Sequence, residues 1–215
     1  MEWAHQHGVL CQPGHEDAFG PYLGISFQDE EIIGVLENRH IAYDYYEDSS
    51  EWIAEQIAAG RVIALFQGRN EWGPRALGNR TILCSAGGKE KLDYINSSIK
   101  SRELGRPLGP SLLGDDYEAL PISSKTRGRY MNIAYDSKGR CPNWPAVIHV
   151  DGTFRPQYVY ESDNPLYYRQ LKAIQRRTGT SVVINTSFNL TTPIIYHIED
   201  ALDYYLNSRL DALVF

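Results

Sequence analysis

The fold of this chain is constrained most by an alternation of short, apolar, β-branched runs with longer amphipathic segments. The short runs are bounded by turn residues, which is typical of buried strands. Strands are predicted over RVIALFQ (61–67), TILCSA (81–86), SVVIN (181–185) and LDALVF (210–215). Helices are predicted over EWIAEQIAA (51–59), KEKLDYINSSIK (89–100), PLYYRQLKAIQRR (165–177) and IEDALDYYLNS (198–208). This order, without internal repeats, predicts one main α/β (α+β) domain with a mixed sheet.

Two other stretches have weaker patterns. AVIHVDG (146–152) and FRPQYVY (154–160) resemble two strands around a turn at Asp151–Thr153. Residues 114–145 are polar and rich in turn residues, which is typical of a long loop. This loop either closes over a ligand or stays solvated. In the first case its basic side chains would reach phosphates: Lys125, Arg127 and Arg129.

The distribution of charge predicts a local anion site. The chain carries a net charge of −6, which argues against a general nucleic-acid binder because phosphate contacts need a basic face. Residues 69–106 hold eight basic and four acidic side chains, so this window is +4 and the remainder is −10. A small positive region in an acidic chain favours a discrete anionic ligand. Lys89 and Lys91 fit a solvated helix face instead.

The cysteines and the hydropathy pattern predict a cytoplasmic protein without a membrane partner. Cys11, Cys84 and Cys141 have no paired spacing, which argues against a disulfide framework. No apolar run is long enough to cross a bilayer. The N-terminus MEWAHQHGVL lacks the apolar core of a secretory signal.

Four sets of polar residues lie at predicted strand ends or turns, where sheet proteins form ligand sites. The turn GRNEWGPRALGNR (68–80) carries Arg75 and Arg80, whose guanidinium forks suit phosphate oxygens. The other sets are KSRELGRPLGPS (100–111), DGTFR (151–155) and NTSFN (185–189). The sequence has no Gly-rich phosphate loop and no Ser-His-Asp order. His149 and His197 are therefore interpreted as structural.

Four ordered motifs carry a family resemblance. They are GRNEWGPRALGNRTIL (68–83), IKSRELGRPLGPSLL (99–113), PAVIHVDGTFRPQYV (145–159) and NTSFNLTTPI (185–194). In this order they resemble the C-terminal domain of the O-carbamoyltransferase family, which includes nodulation, cephem and tobramycin carbamoyltransferases. The resemblance covers roughly residues 50–215.

The resemblance implies a YrdC-like fold, which is a twisted mixed sheet flanked by helices with a deep basic cavity. It implies that the domain converts carbamoyl phosphate and ATP into carbamoyl-adenylate with the help of Mg²⁺. By matching motif positions, the implied catalytic residues are Lys100, Arg106, Arg155 and Ser187. The implied residues for nucleotide and substrate binding are Arg75, Arg80, Asn185 and Asn189. Arg102 is instead expected to pair with Glu103 or Glu71 at the rim.

Residues 1–48 resemble the end of a second family domain, which leaves 49–215 as the C-terminal domain. The stretch CQPGHEDAFGPYLG (11–24) is similar to the last segment of an actin-like domain that passes the carbamoyl group to a hydroxyl acceptor. The resemblance implies that Asp17 is a metal ligand whose histidine partners belong to sequence further upstream. A transition metal is therefore expected only with an actin-like domain or subunit acting in trans. His5, His7 and His15 could complete a site with Asp17, or the segment is a flexible remnant.

Two departures from the family pattern leave the function open. Residues 191–193 are Thr-Thr-Pro where glycine, an acid and proline are usual, and this loses a carboxylate near the site. Leu104 and Gly105 replace residues that are often aromatic. The first hypothesis is an enzyme component that makes carbamoyl-adenylate. The alternatives are a non-catalytic nucleotide- or anion-binding module and a tRNA threonylcarbamoyl-adenylate-type enzyme of the same fold.

Overall fold

The structure is a computed structural model that describes residues 20–119, 128–137, 143–190 and 192–215. Its helices are α1 (Asp29–Asn38), α2 (Ser50–Ala58), α3 (Lys89–Tyr94), α4 (Pro165–Thr178) and α5 (Ile198–Leu206). A π-helical turn (Ile95–Ile99) continues α3, and 3₁₀ turns cover Gly114–Ala119 and Pro145–Val147. Its strands are β1 (Ile63–Phe66), β2 (Arg80–Ser85), β3 (Gly109–Leu113), β4 (Tyr135–Asp136), β5 (Thr153–Phe154), β6 (Gln157–Val159), β7 (Val183–Ser187) and β8 (Ala212–Val214).

Six of these strands form one mixed sheet in the order β6-β3-β7-β2-β1-β8. β2 is antiparallel to both β1 and β7, and β3 is antiparallel to β7. The outer pairs β1–β8 and β3–β6 are parallel. β4 and β5 form a separate antiparallel pair. The predicted mixed sheet flanked by helices is confirmed.

Both faces of the sheet are covered, as the alternation along β1 shows. Ala64 and Phe66 belong to one apolar core, and Ile63 and Leu65 belong to the other. Helices α2 and α4 pack on the second core, while α1, α5 and the π-helical turn pack on the first. Because both faces are buried, the ends of the strands are well supported and can hold functional side chains in fixed positions.

The bounds of α4 follow from its sequence. The Asn164 side chain caps the helix by accepting a hydrogen bond from the backbone N–H of Tyr167 at 3.1 Å. Pro165 occupies the first helical position, and Gly179 ends the helix with a φ of +80°. These three residues are the signals that predicted the helix, and the structure confirms them.

The strand predicted over 146–152 is wrong. Pro145–Val147 form a 3₁₀ turn instead, and the chain then bends tightly at Asp151–Thr153. The Asp151 carboxylate accepts hydrogen bonds from the Thr153 N–H at 2.9 Å and the Thr153 hydroxyl at 2.8 Å. Such local side-chain bonds compete with ladder pairing. The sequence patterns also gave no signal for α1 or for β3, which lies inside a stretch rich in Gly and Pro.

The described part of the N-terminal segment packs on this domain. Leu36 of α1 is buried in the first core, and Phe27 and Ile32 pack against it. Arg39 forms an ion pair with Asp203 of α5 at 2.6 Å. Asp17, His5, His7 and His15 lie outside the described residues. None of the helices in the described ranges combines the length and the apolarity that a membrane crossing needs.

Candidate functional site

A cavity of about 640 Å³ lies at one end of the sheet. The strand register brings together the starts of β2, β3 and β6 and the end of β7 at this end, since Thr81 pairs with Ser187 and Gly109 with Asn185. The lining residues come from the arginine turn, the segment after the π-helical turn, the chain before β4, the β5–β6 connection and the end of β7. They are Pro74–Ala76, Lys100, Arg102, Arg106–Gly109, Met131, Arg155, Asn185–Ser187, Asn189 and Leu190.

The lining is strongly positive. Its charged members are Arg75, Lys100, Arg102, Arg106 and Arg155. Among the described residues that line the cavity, none is a carboxylate. The nearest acid by sequence, Glu103, is exposed and lies 3.7 Å from Arg106 in an ion pair at the rim. A concave site with one sign of charge concentrates ligands of the opposite sign.

Lys100 lies in the wall of the cavity and is 5% exposed. Its Nζ donates hydrogen bonds to the Ser187 carbonyl and the Asn189 side-chain oxygen, both at 2.8 Å, and to the Asn189 carbonyl. The Ser187 hydroxyl donates to the same Asn189 oxygen at 2.7 Å. Burial and, to a smaller extent, the charges of Arg102 and Arg106 together lower the pKa of Lys100 to about 7.

The backbone that presents Lys100 is irregular. The Lys100 N–H donates to the Ile95 carbonyl at 2.8 Å, as the π-helical turn requires. The next residue, Ser101, has a φ of +45°, which is uncommon for a residue other than glycine. π-helical turns and left-handed residues recur at functional sites, where they redirect side chains. Here the π-helical turn and the positive φ of Ser101 bring the side chains of Lys100 and Arg102 to the same cavity.

Two arginines of the lining have a buried nitrogen without a hydrogen-bond partner in the described part of the chain. They are Arg102, at Nη2, and Arg155, at Nε. Burial lowers the pKa of both side chains, and a neighbouring cation, Arg106 or Arg75 respectively, adds to the effect. Buried donors in folded proteins are normally satisfied. Both side chains line the cavity, so an anion bound there would offset their positive charge.

Arg102 belongs to the basic run predicted over 100–111, but the sequence interpretation gives it an ion pair at the rim, whereas the structure places it in the cavity lining. Its expected pairing with Glu103 or Glu71 is wrong, because its Nε donates to the Asn96 side-chain oxygen at 2.7 Å. Asn96 is completely buried in the π-helical turn and also donates to the Arg106 carbonyl at 3.0 Å. The only available signal was the density of basic residues in KSRELGR.

Asn185 belongs to the polar wall of the cavity. Its Nδ2 lies 3.0 Å from the Ala76 carbonyl, 2.8 Å from the Ser111 hydroxyl and 2.9 Å from Oε1 of Gln157. Its Oδ1 is buried and accepts no hydrogen bond from the described residues. This side chain therefore ties the arginine turn to β3 and β6, and it retains an acceptor for a ligand.

Arg80 does not line this cavity. Its side chain is fully buried, with its guanidinium carbon 3.8 Å from the centre of the Phe66 ring. Its Nη1 donates to the Gln67 carbonyl at 2.6 Å and to the Asn79 carbonyl at 3.2 Å. Burial lowers the pKa of Arg80 to about 10, while the nearby Glu71 carboxylate opposes that shift. This geometry gives Arg80 a structural role. It corrects the prediction that Arg80 binds the ligand.

The arginine turn is closed from inside by Glu71. Oε1 of this buried carboxylate accepts hydrogen bonds from the N–H groups of Leu77 (2.7 Å), Asn79 (2.8 Å) and Arg80 (3.2 Å). Burial raises the pKa of Glu71. Gly78 has a φ of +113°, and a Cβ there would lie 2.2 Å from the Tyr167 ring. The turn thus needs glycine at 78 and directs Arg75 and Arg80 to different places.

The remaining sequence-predicted residues are placed as follows. Arg106 is exposed at the rim, and Ser187 and Asn189 lie where β7 ends. Arg129 forms an ion pair with Asp163 at 3.2 Å and lies over the Tyr160 ring, whereas Lys125 and Arg127 lie outside the described residues. The described part of the chain contains no cluster of His, Cys, Asp and Glu that could hold a metal.

The fold and the cavity agree with a family match. Residues 54–215 match the family described as carbamoyltransferase C-terminus. The chain belongs to the carbamoyltransferase family and contains its C-terminal domain. The sequence motifs predicted this family, and the match confirms it.

Two relatives illustrate the family. The nodulation protein NolNO of Sinorhizobium fredii is 38% identical over 201 residues, which are 91% of this chain and 29% of that protein. The 3'-hydroxymethylcephem-O-carbamoyltransferase of Amycolatopsis lactamdurans is 32% identical over 202 residues, which are 90% of this chain and 38% of that enzyme. This chain therefore spans about a third of the length of the curated relatives that it matches.

A solved structure shares the fold. HypF from T. kodakarensis superposes with a TM-score of 0.54 at 17% identity, over 76% of this chain and 20% of that chain. At this identity the likeness supports the fold and gives no information about ligands.

Proposed function

We propose that this domain activates the carbamoyl group of carbamoyl phosphate as carbamoyl-adenylate. In the balanced reaction, water releases phosphate from carbamoyl phosphate and leaves carbamate. A carbamate oxygen then bonds to the α-phosphorus of ATP, and the bond from that phosphorus to pyrophosphate breaks. The products are carbamoyl-adenylate, phosphate and pyrophosphate. Apart from water, every species in this sequence is an anion.

The observation that carries the proposal is the convergence of five cations on a cavity that no described carboxylate lines. The buried, unpartnered Nη2 of Arg102 and Nε of Arg155 are donors for anionic oxygens. The unpartnered Oδ1 of Asn185 is an acceptor for an amide N–H. Carbamoyl phosphate combines an amide with a phosphate, and it fits a site that offers both kinds of group.

The side chains would act mainly by electrostatics and positioning. Nucleotidyl transfer spreads negative charge over phosphate oxygens in the transition state, and fixed cations stabilise that charge. Lys100 would act on phosphate oxygens through its charge, since its three donors already bond Ser187 and Asn189. Arg106 would contact phosphate oxygens, and Arg155 and Ser187 would hold the carbamoyl phosphate. Arg75, Asn185 and Asn189 would complete the binding surface. This division of roles requires no catalytic histidine.

Mg²⁺ is not matched by the residues of the cavity. This ion prefers carboxylate oxygens together with substrate phosphates, and the described lining contains no carboxylate. The Asn189 side-chain oxygen already accepts from Lys100 and Ser187. We therefore assign no protein ligand to Mg²⁺, which would reach the site as part of the ATP substrate.

We propose that transfer of the carbamoyl group to a hydroxyl acceptor takes place on a different domain or subunit. The chain spans about a third of the matched relatives, and the described residues contain no cluster suited to a metal. An actin-like domain or subunit acting in trans would supply the acceptor site and its transition metal. Under this proposal, the domain described above makes the activated intermediate.

The test is a pyrophosphate-release assay on the full chain. Release is expected only when ATP, Mg²⁺ and carbamoyl phosphate are all present. Arg106→Ala is expected to lower the rate about 10- to 100-fold, the effect of losing one hydrogen bond to a charged group. Arg177→Ala is the matched control, since Arg177 is also an exposed arginine beside a glutamate, Glu55, at 3.8 Å.

Two results would count against this proposal. If no release depends on carbamoyl phosphate, the chain is not a stand-alone activating enzyme. If Arg106→Ala and Arg177→Ala lower the rate equally, the cavity is not the reaction site.

One observation favours a second candidate, a non-catalytic module that binds a nucleotide or a small anion. The lining offers cations for binding but no carboxylate to hold a metal or accept a proton. Calorimetric titration with ATP and with carbamoyl phosphate separates the two candidates. Binding without pyrophosphate release would favour the module.

A further inference from the structure

The segment Pro21–Ile25, which we call the strap, is hydrogen-bonded to the arginine turn. The Gly24 N–H donates to the Asn70 carbonyl at 2.9 Å, and the Asn70 N–H donates to the Ile25 carbonyl at 3.0 Å. The Trp72 N–H donates to the Pro21 carbonyl at 2.5 Å. The strap precedes residues 54–215, which match the carbamoyltransferase C-terminus. It nevertheless pairs with the part of that domain that carries Arg75.

Arg69 extends this pairing with its side chain. Its Nε donates to the Gly24 carbonyl at 2.9 Å, and its Nη2 donates to the Leu23 carbonyl at 3.1 Å. A guanidinium group can hold two acceptors in this fixed geometry because its N–H groups are coplanar. Arg69 is exposed and is not part of the cavity lining. Its hydrogen bonds therefore hold the strap against the turn.

Tyr22 connects the strap to the wall of the cavity. Its hydroxyl donates to the Leu77 carbonyl at 2.9 Å, and the same carbonyl accepts from Nε2 of Gln157 at 2.7 Å. Oε1 of Gln157 in turn accepts from Nδ2 of Asn185 at 2.9 Å. The chain of hydrogen bonds thus runs from the strap through the end of the turn to a lining residue.

The packing leaves little space between the strap and the turn. A Cβ built on Gly24 would lie 2.7 Å from Cγ of Asn70 and 2.8 Å from its carbonyl oxygen. The two backbones therefore approach as closely as glycine permits. A shift of the strap would move the turn with it.

Arg75 depends on this support. Within the described residues its side chain forms no hydrogen bond and no ion pair, so its position is set by the backbone of the turn. The neighbouring Ala76 carbonyl accepts from Asn185 in the cavity wall. Movement of the turn would therefore displace both the Arg75 side chain and the Ala76 carbonyl.

We propose that Arg69 and Tyr22 are positioning residues that clamp the strap to the arginine turn and thereby hold Arg75 in the anion site. The strap is then a functional part of a site that otherwise belongs to residues 54–215. The consequence for substrate binding rests on the function proposed above, whereas the clamp itself can be measured without activity.

The experiment compares Arg69→Gln with Arg61→Gln in the full chain. Arg61 is a matched control, because it is also an exposed arginine, and it bonds the Gln56 side chain at 2.7 Å in a different part of the fold. Hydrogen exchange should become faster for amides of residues 70–79 in Arg69→Gln and stay unchanged in Arg61→Gln.

The KM for carbamoyl phosphate should rise about tenfold in Arg69→Gln, which corresponds to roughly 1.4 kcal/mol of binding, while kcat changes less. Arg69→Lys should recover part of the loss, since an ammonium still donates to a carbonyl.

Tyr22→Phe is the second variant, because it keeps the packing of the ring and removes only the hydroxyl. It should also accelerate exchange in residues 70–79. Unchanged exchange in both Arg69→Gln and Tyr22→Phe would overturn the clamp. Faster exchange with an unchanged KM would overturn its link to the site. If the wild-type chain releases no pyrophosphate, the proposed function fails, and the exchange measurements still decide whether the clamp exists.

Discussion

Two cations are buried close to the same end of the sheet in opposite surroundings. Arg80, beneath the arginine turn, is held by backbone carbonyls and the Phe66 ring with the Glu71 carboxylate nearby. Lys100, in the cavity wall, has only neutral oxygens as hydrogen-bond partners, and its charged neighbours are Arg102 and Arg106. The charge of Arg80 is therefore compensated within the fold, and the charge of Lys100 is not.

This difference shows how to separate structural from ligand-binding cations. Buried charges are tolerated when they are paired or fully hydrogen-bonded. In the region of Arg80 the protein supplies that compensation itself. In the cavity no described lining residue is a carboxylate, so the compensation has to come from a ligand.

The largest expected effect tests the region of Arg80. Arg80→Met should lower the free energy of unfolding by about 3–5 kcal/mol, because it leaves the buried Gln67 and Asn79 carbonyls without their charged donor. Arg75→Met should change it by less than about 0.5 kcal/mol, since Arg75 is exposed and lacks protein partners. Urea denaturation of the two variants is the measurement. Equal losses would contradict the contrast between structural and ligand-binding arginines.

The next effect tests the cavity and depends on pH. Because the pKa of Lys100 lies near 7 in the free protein, its charge is present below pH 7 and is lost as pH rises through that value. Affinity for sulfate, whose own charge is constant in this range, should therefore fall above pH 7, by at most about tenfold per pH unit. Lys100→Arg should flatten the profile because arginine stays charged. Calorimetric titration between pH 6 and pH 9 provides the test, and a flat wild-type profile would contradict the assignment.

The smallest effect concerns the backbone that presents Lys100. Ser101→Gly should leave stability unchanged or raise it by at most about 1 kcal/mol, because glycine adopts a positive φ without strain. Ser98→Gly, in the π-helical turn, should lower stability by about 0.5–1 kcal/mol through added flexibility of the unfolded chain. Thermal unfolding compares the two. A loss in Ser101→Gly equal to that in Ser98→Gly would show that residue 101 is not strained.

Much of the fold and of the site could be predicted from the sequence. Strands and helices followed their hydrophobic periods, and the four motifs supplied most of the cavity lining. The different positions of Arg75 and Arg80 could not be predicted, because they depend on the bend at Gly78, whose φ is +113°. The hydrogen bond between Arg102 and Asn96 could not be predicted either, because it depends on the position of Asn96 in the π-helical turn. Both failures arise where local backbone geometry overrides residue type.

The parallel pairing of β1 with β8 also has a consequence for biosynthesis. β1 (Ile63–Phe66) is apolar and leaves the ribosome before β8, so one of its two edges is covered only when Ala212–Val214 arrive. At the usual rate of about 5–20 residues per second, this edge stays open for roughly 7–30 s. An uncovered apolar strand invites pairing with other nascent chains. The interval before β8 docks is therefore a period in which β1 is open to pairing with the wrong strand.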